Sequence, residues 1–479
     1  MTATRATTAA ASEPAGSLLA RPYRSLVIGL LAIITCAAFE SMAVTTAMPV
    51  VARELHGESA YGLAFSLLLT AALAATASAG AWCDRRGPRP SLLTGLALMC
   101  GGLLASGFAA DFLTFTLGRM VSGLGSGFMI VPVYVIIGQV LPGPLQPALF
   151  SWFSAAWVVP SLVGPFVAGL LAQHASWRWV FYGVAPIVLV AVVLVWPHVR
   201  HLGAPAEKSL AAGDGRRRAL LGLLLSGGVF AAQWAGYELA NPAGTLRSAA
   251  PVLLWLAVAA GLAAVVIAAP RLLPAKAFRL ARGLPSVVVC RGLLALAFFG
   301  AEAFVPLMLT STRSLSPSMA GLALSGSAIG WTAGSFLQAR IHFRRSILLV
   351  VGPAVLALAL GTMALSVVAG GPAWLLAAIW VLAGAAMGTA ITTTSVLLLE
   401  YSPAPERGRN SASLQLADML GGVIGTAGAG MLYSLMRNPS NLSDPTVFAV
   451  LWGALALAAA VGIASGARSR RPRSEVQPL

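Results

Sequence analysis

Residues 157–169 read WVVPSLVGPFVAG, an apolar run of helical length with Gly164 and Pro165 in its interior and small residues at Ala168 and Gly169. In water such a helix breaks, because proline lacks an N–H and clashes with the preceding turn. In a bilayer it persists with a kink where neighbouring helices cover the loosened backbone, and its small-residue face lets a partner come close. The stretch therefore reads as a packing helix of a polytopic membrane protein.

Composition agrees. Of 479 residues, 58% are hydrophobic and only 10% charged, and the mean hydropathy is +0.84, far from a soluble balance. The net charge of +16 would suggest nucleic acid in a soluble chain. Here the basic residues sit in short loops between apolar runs, where they are a topology signal, and a nucleic-acid partner is excluded. Cys36, Cys83, Cys100 and Cys290 fall in apolar runs or at a cytoplasmic edge and imply no disulfide framework. The run after Arg24 is too long for a signal-peptide core and lacks a convincing cleavage site, so the first span is expected to stay uncleaved.

Apolar windows of about 20 residues place helices near 25–48, 61–82, 90–110, 112–140, 147–171, 178–197, 219–239, 250–270, 284–310, 317–338, 346–369, 373–399, 411–435 and 446–466. With the N-terminus inside, 24 of 31 Lys and Arg lie in cytoplasmic segments. Arg53, Arg178, Arg247, Arg313 and Arg437 lie outside, and Arg119 and Arg291 lie within spans. Both termini are thus expected in the cytoplasm of a multi-pass cell-membrane protein. An odd number of helices would put the cluster from Arg468 to Arg473 outside, which argues against thirteen.

A shift of 261 residues lays Gly123, Gly127, Pro142, Pro144, Gly164 and Gly169 onto Gly384, Gly388, Pro403, Pro405, Gly425 and Gly430. This repeat fits an all-α chain of two six-helix bundles, 1–198 and 284–479, the latter ending in a basic tail. Between them, 199–283 is a linker with two inserted helices. In transporters built from parallel repeats the substrate site lies at the interface of the halves.

Four stretches carry chemistry. Glu40, in FESMAVTTAMPVVARELHG, stands about 15 residues inside the first span; burial disfavours its charge and makes it a candidate proton carrier. Gly80 to Pro90 reads GAWCDRRGPRP. Its glycines allow a tight turn, and Asp84 can accept from an arginine or a helix N-terminus as a latch between helix ends. Arg119 puts a permanent charge in the hydrocarbon beside Ser122, Gly123, Gly125 and Gly127, and needs a partner. Glu40 is the acid at matching depth. The fourth stretch is the proline-kinked fifth helix.

Together these motifs resemble the major facilitator superfamily, and within it the fourteen-helix drug:proton antiporter family, over nearly the whole chain. Gly80, Asp84, Arg85, Gly87 and Arg89 match the superfamily's loop motif. Arg119, Gly123 and Gly125 resemble its fourth-helix motif, with Ser122 where glutamine is usual. Gly164, Pro165 and Gly169 resemble the antiporter motif, with Pro160 replacing its first glycine and Ala168 its penultimate one. Trp177 to Pro186 resembles the following exporter signature, with Val184 for asparagine. Glu40 to Pro49 matches the first-helix motif, with glutamate for aspartate, Met42 for threonine and Thr45 for asparagine. The resemblance implies proton-driven export of hydrophobic, in part cationic, small molecules by alternating access. In that reading the fifth-helix kink packs against the other half and limits leak, and the fourth-helix arginine couples to a protonated acid.

The second half adds Arg291, Glu302 and Asp418 within spans. Arg291, near a helix end, is expected to snorkel. Glu302, ahead of Pro306 and level with Glu40, is a second proton or cation site. Asp418, about two turns into its helix, either pairs with Arg291 or caps the basic loops, and joins Glu40, Arg119 and Glu302 as a coupling candidate. GSFLQARIHFRR echoes the first-half loop with Gln338 in the place of Asp84. His56, His174, His198, His201 and His342 lack ligand spacing, so no metal and no cofactor is expected. No catalytic polar cluster or nucleotide loop is present; the energy source is an ion gradient, and the expected partners are a small-molecule substrate, protons and the lipid bilayer, with the chain a monomer. The alternative within transport is a dedicated exporter of one endogenous lipid, antibiotic or siderophore. The alternative class is a non-transporting receptor or a membrane enzyme.

Overall fold

The computed structural model describes residues 17–203, 212–240, 250–340, 345–403, 406–437, 441 and 443–470. Arg5, Arg247, His342, Pro405, Arg471 and Arg473 lie outside the described residues. The fold is all-α, with fourteen long helices among the described residues. The first six are α1 (Arg24–Glu54), α2 (Tyr61–Arg86), α3 (Pro88–Gly107), α4 (Phe112–Val140), α5 (Gln146–His174) and α6 (Arg178–Val199). Then come α7 (Ala212–Ala240) and α8 (Pro251–Leu272). The last six are α9 (Leu284–Thr312), α10 (Pro317–Arg340), α11 (Arg345–Val368), α12 (Ala373–Tyr401), α13 (Arg407–Met436) and α14 (Pro445–Ala467).

Thirteen of these are long and apolar enough to span a bilayer. The other is α10, whose Gly, Ser and Thr residues lower its hydropathy but let it lie directly on α12. A Cβ at Gly330 would fall 2.0 Å from the Val381 carbonyl oxygen, and one at Gly334 would fall 2.1 Å from that of Ala385. Close approach of this kind replaces the hydrophobic driving force that helices lack inside lipid. The outward side chains are apolar too: Val252, Trp255 and Val266 of α8 are exposed, as a lipid-facing helix requires. The chain is a multi-pass membrane protein.

Helix ends follow local rules. Asp111 caps α4, accepting from the Thr114 N–H at 2.8 Å, and Asp444 caps α14, accepting from Thr446 at 2.9 Å. Two spans expected to be continuous are broken. The sixth is interrupted at Gly183. The ninth breaks at Ala303 and Phe304, just before Pro306, where proline removes the bond to the Glu302 carbonyl.

The glycine repeat corresponds to equivalent contacts. Gly123 and Gly127 of α4 lie on the backbone of α2 at Leu68 and Ala72, and Gly384 and Gly388 of α12 lie on α10 at Ser327 and Trp331. Further along, Gly169 of α5 meets Pro317 and Ser318 of α10, while Gly430 of α13 meets Gly62 of α2. Helices α5 and α10, and α2 and α13, thus cross at the end of the bundle that carries Tyr61. The opposite end carries Asp84.

Seven helices, α7 to α13, separate Gly203 from Asn441, and both residues are exposed. Single cysteines at these positions, in a chain lacking its four native cysteines, are expected to react with an impermeant maleimide from opposite sides, Gly203 from the cytoplasm. Labelling of both from one side would contradict the fourteen-helix path.

Candidate functional site

Glu40 and Arg119 meet in the interior. Arg119 Nη1 lies 2.8 Å from Glu40 Oε1, with side-chain exposures of 3% and 4%. Ser122 Oγ donates to the same carboxylate oxygen, and Arg119 Nε is buried without a partner. Serine in place of a longer glutamine is what puts a hydroxyl, one turn beyond Arg119 on α4, against the acid of α1. In hydrocarbon neither charge is tolerable alone, and one pair with one hydroxyl leaves the guanidinium under-satisfied. Without the Glu40 charge, nothing in this geometry would attract the Arg119 guanidinium.

The second half holds a different pair. Arg291 Nε lies 2.6 Å from Asp418 Oδ1, and Arg291 Nη1 donates to the Ile391 carbonyl at 3.2 Å and to Thr394 Oγ1 at 3.3 Å. The expectation that Arg291 snorkels is therefore corrected: it is buried between α9, α12 and α13, because an acid and a row of hydroxyls reach it at depth. Asp418 pairs with it instead of capping the loops. It also lies about three turns into α13, since that helix begins at Arg407 and not near 411. Under the 261-residue shift these charges do not correspond to Glu40 and Arg119.

Glu302 is buried at 7% exposure, and no hydrogen bond or ion pair reaches its carboxylate among the described residues. It stands at the last turn before the break in α9. The Ala303 carbonyl exposed by that break accepts from Tyr61 Oη of α2 at 3.1 Å. Tyr61 also packs on Phe304 and Tyr433, with ring centroids 5.1 and 6.3 Å away.

The fifth-helix residues divide between partners. The Pro165 carbonyl lies 2.2 Å from where a Cβ at Gly321 of α10 would be, Gly169 also touches α10, and Gly164 faces Phe39 of α1. Pro160 is buried. In the loop motif, Gly87 takes φ +80°, ending α2 in a conformation that suits glycine. Gly80 faces open space, and Arg85 is exposed. Arg89 donates to the Arg200 carbonyl at 2.9 Å and lies over Trp196. Asp84 is exposed, with Oδ2 3.7 Å from where a Cβ at Gly215 in the first turn of α7 would lie. Gln338, its second-half counterpart, is buried in α10.

Sequence reasoning missed Tyr61, which reads as an ordinary interfacial aromatic at a helix start. It also missed the polar contacts of the inserted pair. Gln233 of α7 lies 3.3 Å from Thr70 of α2, and Glu238 has a buried oxygen without a partner. An acid and an amide inside the run 219–239 were the available signal. Among the described residues, no group of three or more His, Cys, Asp or Glu is arranged to hold a metal.

Removing one member of the central pair leaves the other buried and unpaired, a loss of about 3–5 kcal/mol. Arg119→Met is expected to lower thermal stability in detergent, and adding Glu40→Gln is expected to restore much of it. A double variant no more stable than Arg119→Met would mean that the pair is not a buried charge pair.

The multidrug efflux pump SdrM of Staphylococcus aureus (strain N315) is 24% identical over 433 residues, covering 89% of this chain and 92% of its own. The protein of Mycobacterium tuberculosis (strain ATCC 25618 / H37Rv) named "Probable multidrug-efflux transporter Rv1634" is 26% identical over 404 residues, 81% of this chain and 83% of its own. Among solved structures, a bacterial homologue of the human lysosomal transporter Spinster superposes with a TM-score of 0.65 at 16% identity, covering 94% of this chain and 97% of its own. A D-xylose–proton symporter gives 0.61 at 16% identity, over 90% and 95%. The model of the Major Facilitator Superfamily matches residues 30–300 and 287–478, and the chain belongs to that superfamily.

Proposed function

We propose that the chain is a proton-coupled antiporter that exports hydrophobic, in part cationic, small molecules across the cell membrane by alternating access. The observation that carries this reading is the buried pair of Glu40 and Arg119 with Ser122. It is a buried charge site at the seventeenth of the 31 residues of α1, where structure alone would favour apolar packing. Relatives named as multidrug efflux pumps support a broad substrate range over a single endogenous lipid, antibiotic or siderophore.

In this cycle Glu40 takes a proton from the outside when the cavity faces out, which frees Arg119, and loses it when the cavity faces in and the pair re-forms. The halves 1–198 and 284–479 rock about the site as a monomer, with both termini in the cytoplasm. Proton entry is worth about 2.3 kcal/mol per 100 mV. For a neutral substrate that potential drives export; for a monovalent cation the exchange is electroneutral, and the pH difference drives it. Glu302, buried without a partner among the described residues, attracts cationic substrates. Asp418 stays tied to Arg291 as a second coupling candidate. Asp84, with Arg85 and Arg89, latches the cytoplasmic end in the outward-facing state.

In proteoliposomes, Glu40→Gln and Arg119→Ala are expected to abolish gradient-driven export of a lipophilic cation, while Glu40→Gln keeps measurable binding and exchange. Glu302→Gln is expected to change the preference between cationic and neutral substrates more than total activity. Normal pumping by Glu40→Gln with unchanged substrate-induced proton movement sinks Glu40 as the coupling acid. Asp84→Asn is expected to impair flux with insertion intact, since it removes a charge-assisted contact without changing size; normal flux would return the loop to a topology signal.

A further inference from the structure

Between Leu272, the last residue of α8, and Leu284, the first of α9, the chain runs along the end of the bundle that carries Asp84. Its conformation is unusual. Lys276 and Leu280 take φ of +61° and +48°, a region that bulky side chains rarely adopt, and they flank a single helical turn, Ala277–Arg279. That turn packs Ala277 inward at 2% exposure and leaves Phe278 63% exposed. An aromatic ring is held out of the bundle while a methyl group fills the interior.

The end of α14 fixes this shape. The Gly283 N–H donates to the Arg468 carbonyl at 3.0 Å, and Arg468 Nη1 donates to the Leu280 carbonyl at 3.5 Å. Ser286 Oγ of α9 donates to the Ala281 carbonyl at 2.7 Å, and Ser465 Oγ of α14 donates to the Ser286 carbonyl at 2.8 Å. Two segments far apart in sequence therefore form one surface.

That surface is cationic. Lys276, Arg279 and Arg282 of the loop and Arg468 and Arg470 at the end of α14 are all exposed, and none of the five forms an ion pair with a carboxylate among the described residues. The segments themselves supply no acid, since no Asp or Glu stands between Glu238 and Glu302 or from Pro445 to Arg470. Other basic residues at this end have acids beside them: Arg85 follows Asp84, Arg407 follows Glu406, and Arg345 pairs with Glu400. Topology requires only the positive charge. Five cations with no acid, around an exposed ring, fit an anion that has an apolar part.

We infer that this patch binds an anionic phospholipid, with the headgroup phosphate among Lys276, Arg279, Arg282, Arg468 and Arg470 and Phe278 among the first carbons of the acyl chains. Position favours a lipid over a free phosphate. Helices α8, α9 and α14 are each long and apolar enough to span a bilayer, so the surface between their ends stands at the headgroup layer. There an exposed phenylalanine is withdrawn from water, and each cation adds about fivefold to the attraction for anionic lipid. A free phosphate would meet the same cations but leave Phe278 in water. Under the proposed topology the leaflet is the cytoplasmic one. A lipid held here ties the α8–α9 joint and the end of α14 to the bilayer surface, whatever the chain transports.

The test uses the full chain in nanodiscs of phosphatidylcholine with a small fraction of phosphatidylglycerol that carries a diazirine beside its ester bond. Crosslinks mapped by peptide mass spectrometry should fall within 272–284 and 464–470, and unlabelled phosphatidylglycerol should compete where added phosphatidylcholine does not. The triple variant Lys276→Gln, Arg279→Gln, Arg282→Gln should lose about a hundredfold in affinity at this position, roughly fivefold per charge. Arg21→Gln, Arg24→Gln, Arg200→Gln removes three exposed cations from the same end of the other half and should leave that affinity unchanged. Equal loss in both variants means a diffuse surface attraction and overturns the site, as do crosslinks that fall elsewhere. Phe278→Ala keeps every charge and should weaken crosslinking by about tenfold, which gives a separate reading if the triple variant does not insert. Full competition by inorganic phosphate, with no effect of Phe278→Ala, assigns the patch to a free anion and overturns the lipid.

Discussion

A carboxylate and a guanidinium in hydrocarbon must find each other, and the pairing of Glu40 with Arg119 constrains everything around it. Both helices have to bring their charges to the same depth and face, so α1 and α4 cannot slide or rotate independently. The glycines of α4 serve this constraint. Gly123 and Gly127 seat α4 on α2, and Arg119, one turn before Gly123, is then fixed beside that contact with Ser122 next to it on the helix surface. A larger residue at either glycine would push α4 outward and draw the guanidinium from its acid.

The remaining architecture is assembled by contact between small residues, since lipid offers helices no hydrophobic reason to associate. This explains a symmetry of packing without a symmetry of charge. Gly123 and Gly384, or Gly169 and Gly430, keep equivalent places because backbone approach depends only on the absence of a side chain. The ion pairs join α1 to α4 in one half and α9 to α13 in the other. Arg291 is held by an acid, a carbonyl and hydroxyls, whereas Arg119 has one acid and an orphaned Nε. The well-satisfied pair is suited to holding helices together, and the under-satisfied one to changing state.

Span number, helix type and the Glu40–Arg119 pairing were legible because each rests on a local quantity: run length, or depth counted from a helix end. Breaks were not, since hydropathy averages over Ala303 and Phe304 as if the backbone continued. Arg291 was expected to snorkel because depth alone placed it near an interface, while its pairing with Asp418, 127 residues away, stood only as one of two alternatives for that acid. The start of α13 was set late because Arg407, Arg409 and Asn410 look like loop, although a bundle tolerates such residues at a helix head. Tyr61 was invisible for a related reason: its acceptor exists only once α9 has broken.

The break in α9 joins Glu302 to the closure of the bundle. Pro306 leaves the Glu302 carbonyl without its helical donor, and the next carbonyl, of Ala303, takes the hydroxyl of Tyr61 from the other half. The turn that presents Glu302 therefore also carries the bond that joins α9 to α2 at the Tyr61 end. Separating the halves there would cost that bond and the Tyr61, Phe304 and Tyr433 ring contacts, and would loosen the helix turn beneath Glu302. In the proposed cycle, charge at Glu302 and opening at Tyr61 would thus act through one broken turn of backbone, whereas Glu40 lies on the continuous helix α1. In the proposed exchange, a substrate cation at Glu302 and a proton at Glu40 would act on different mechanical elements of the same bundle, and so could be distinguished.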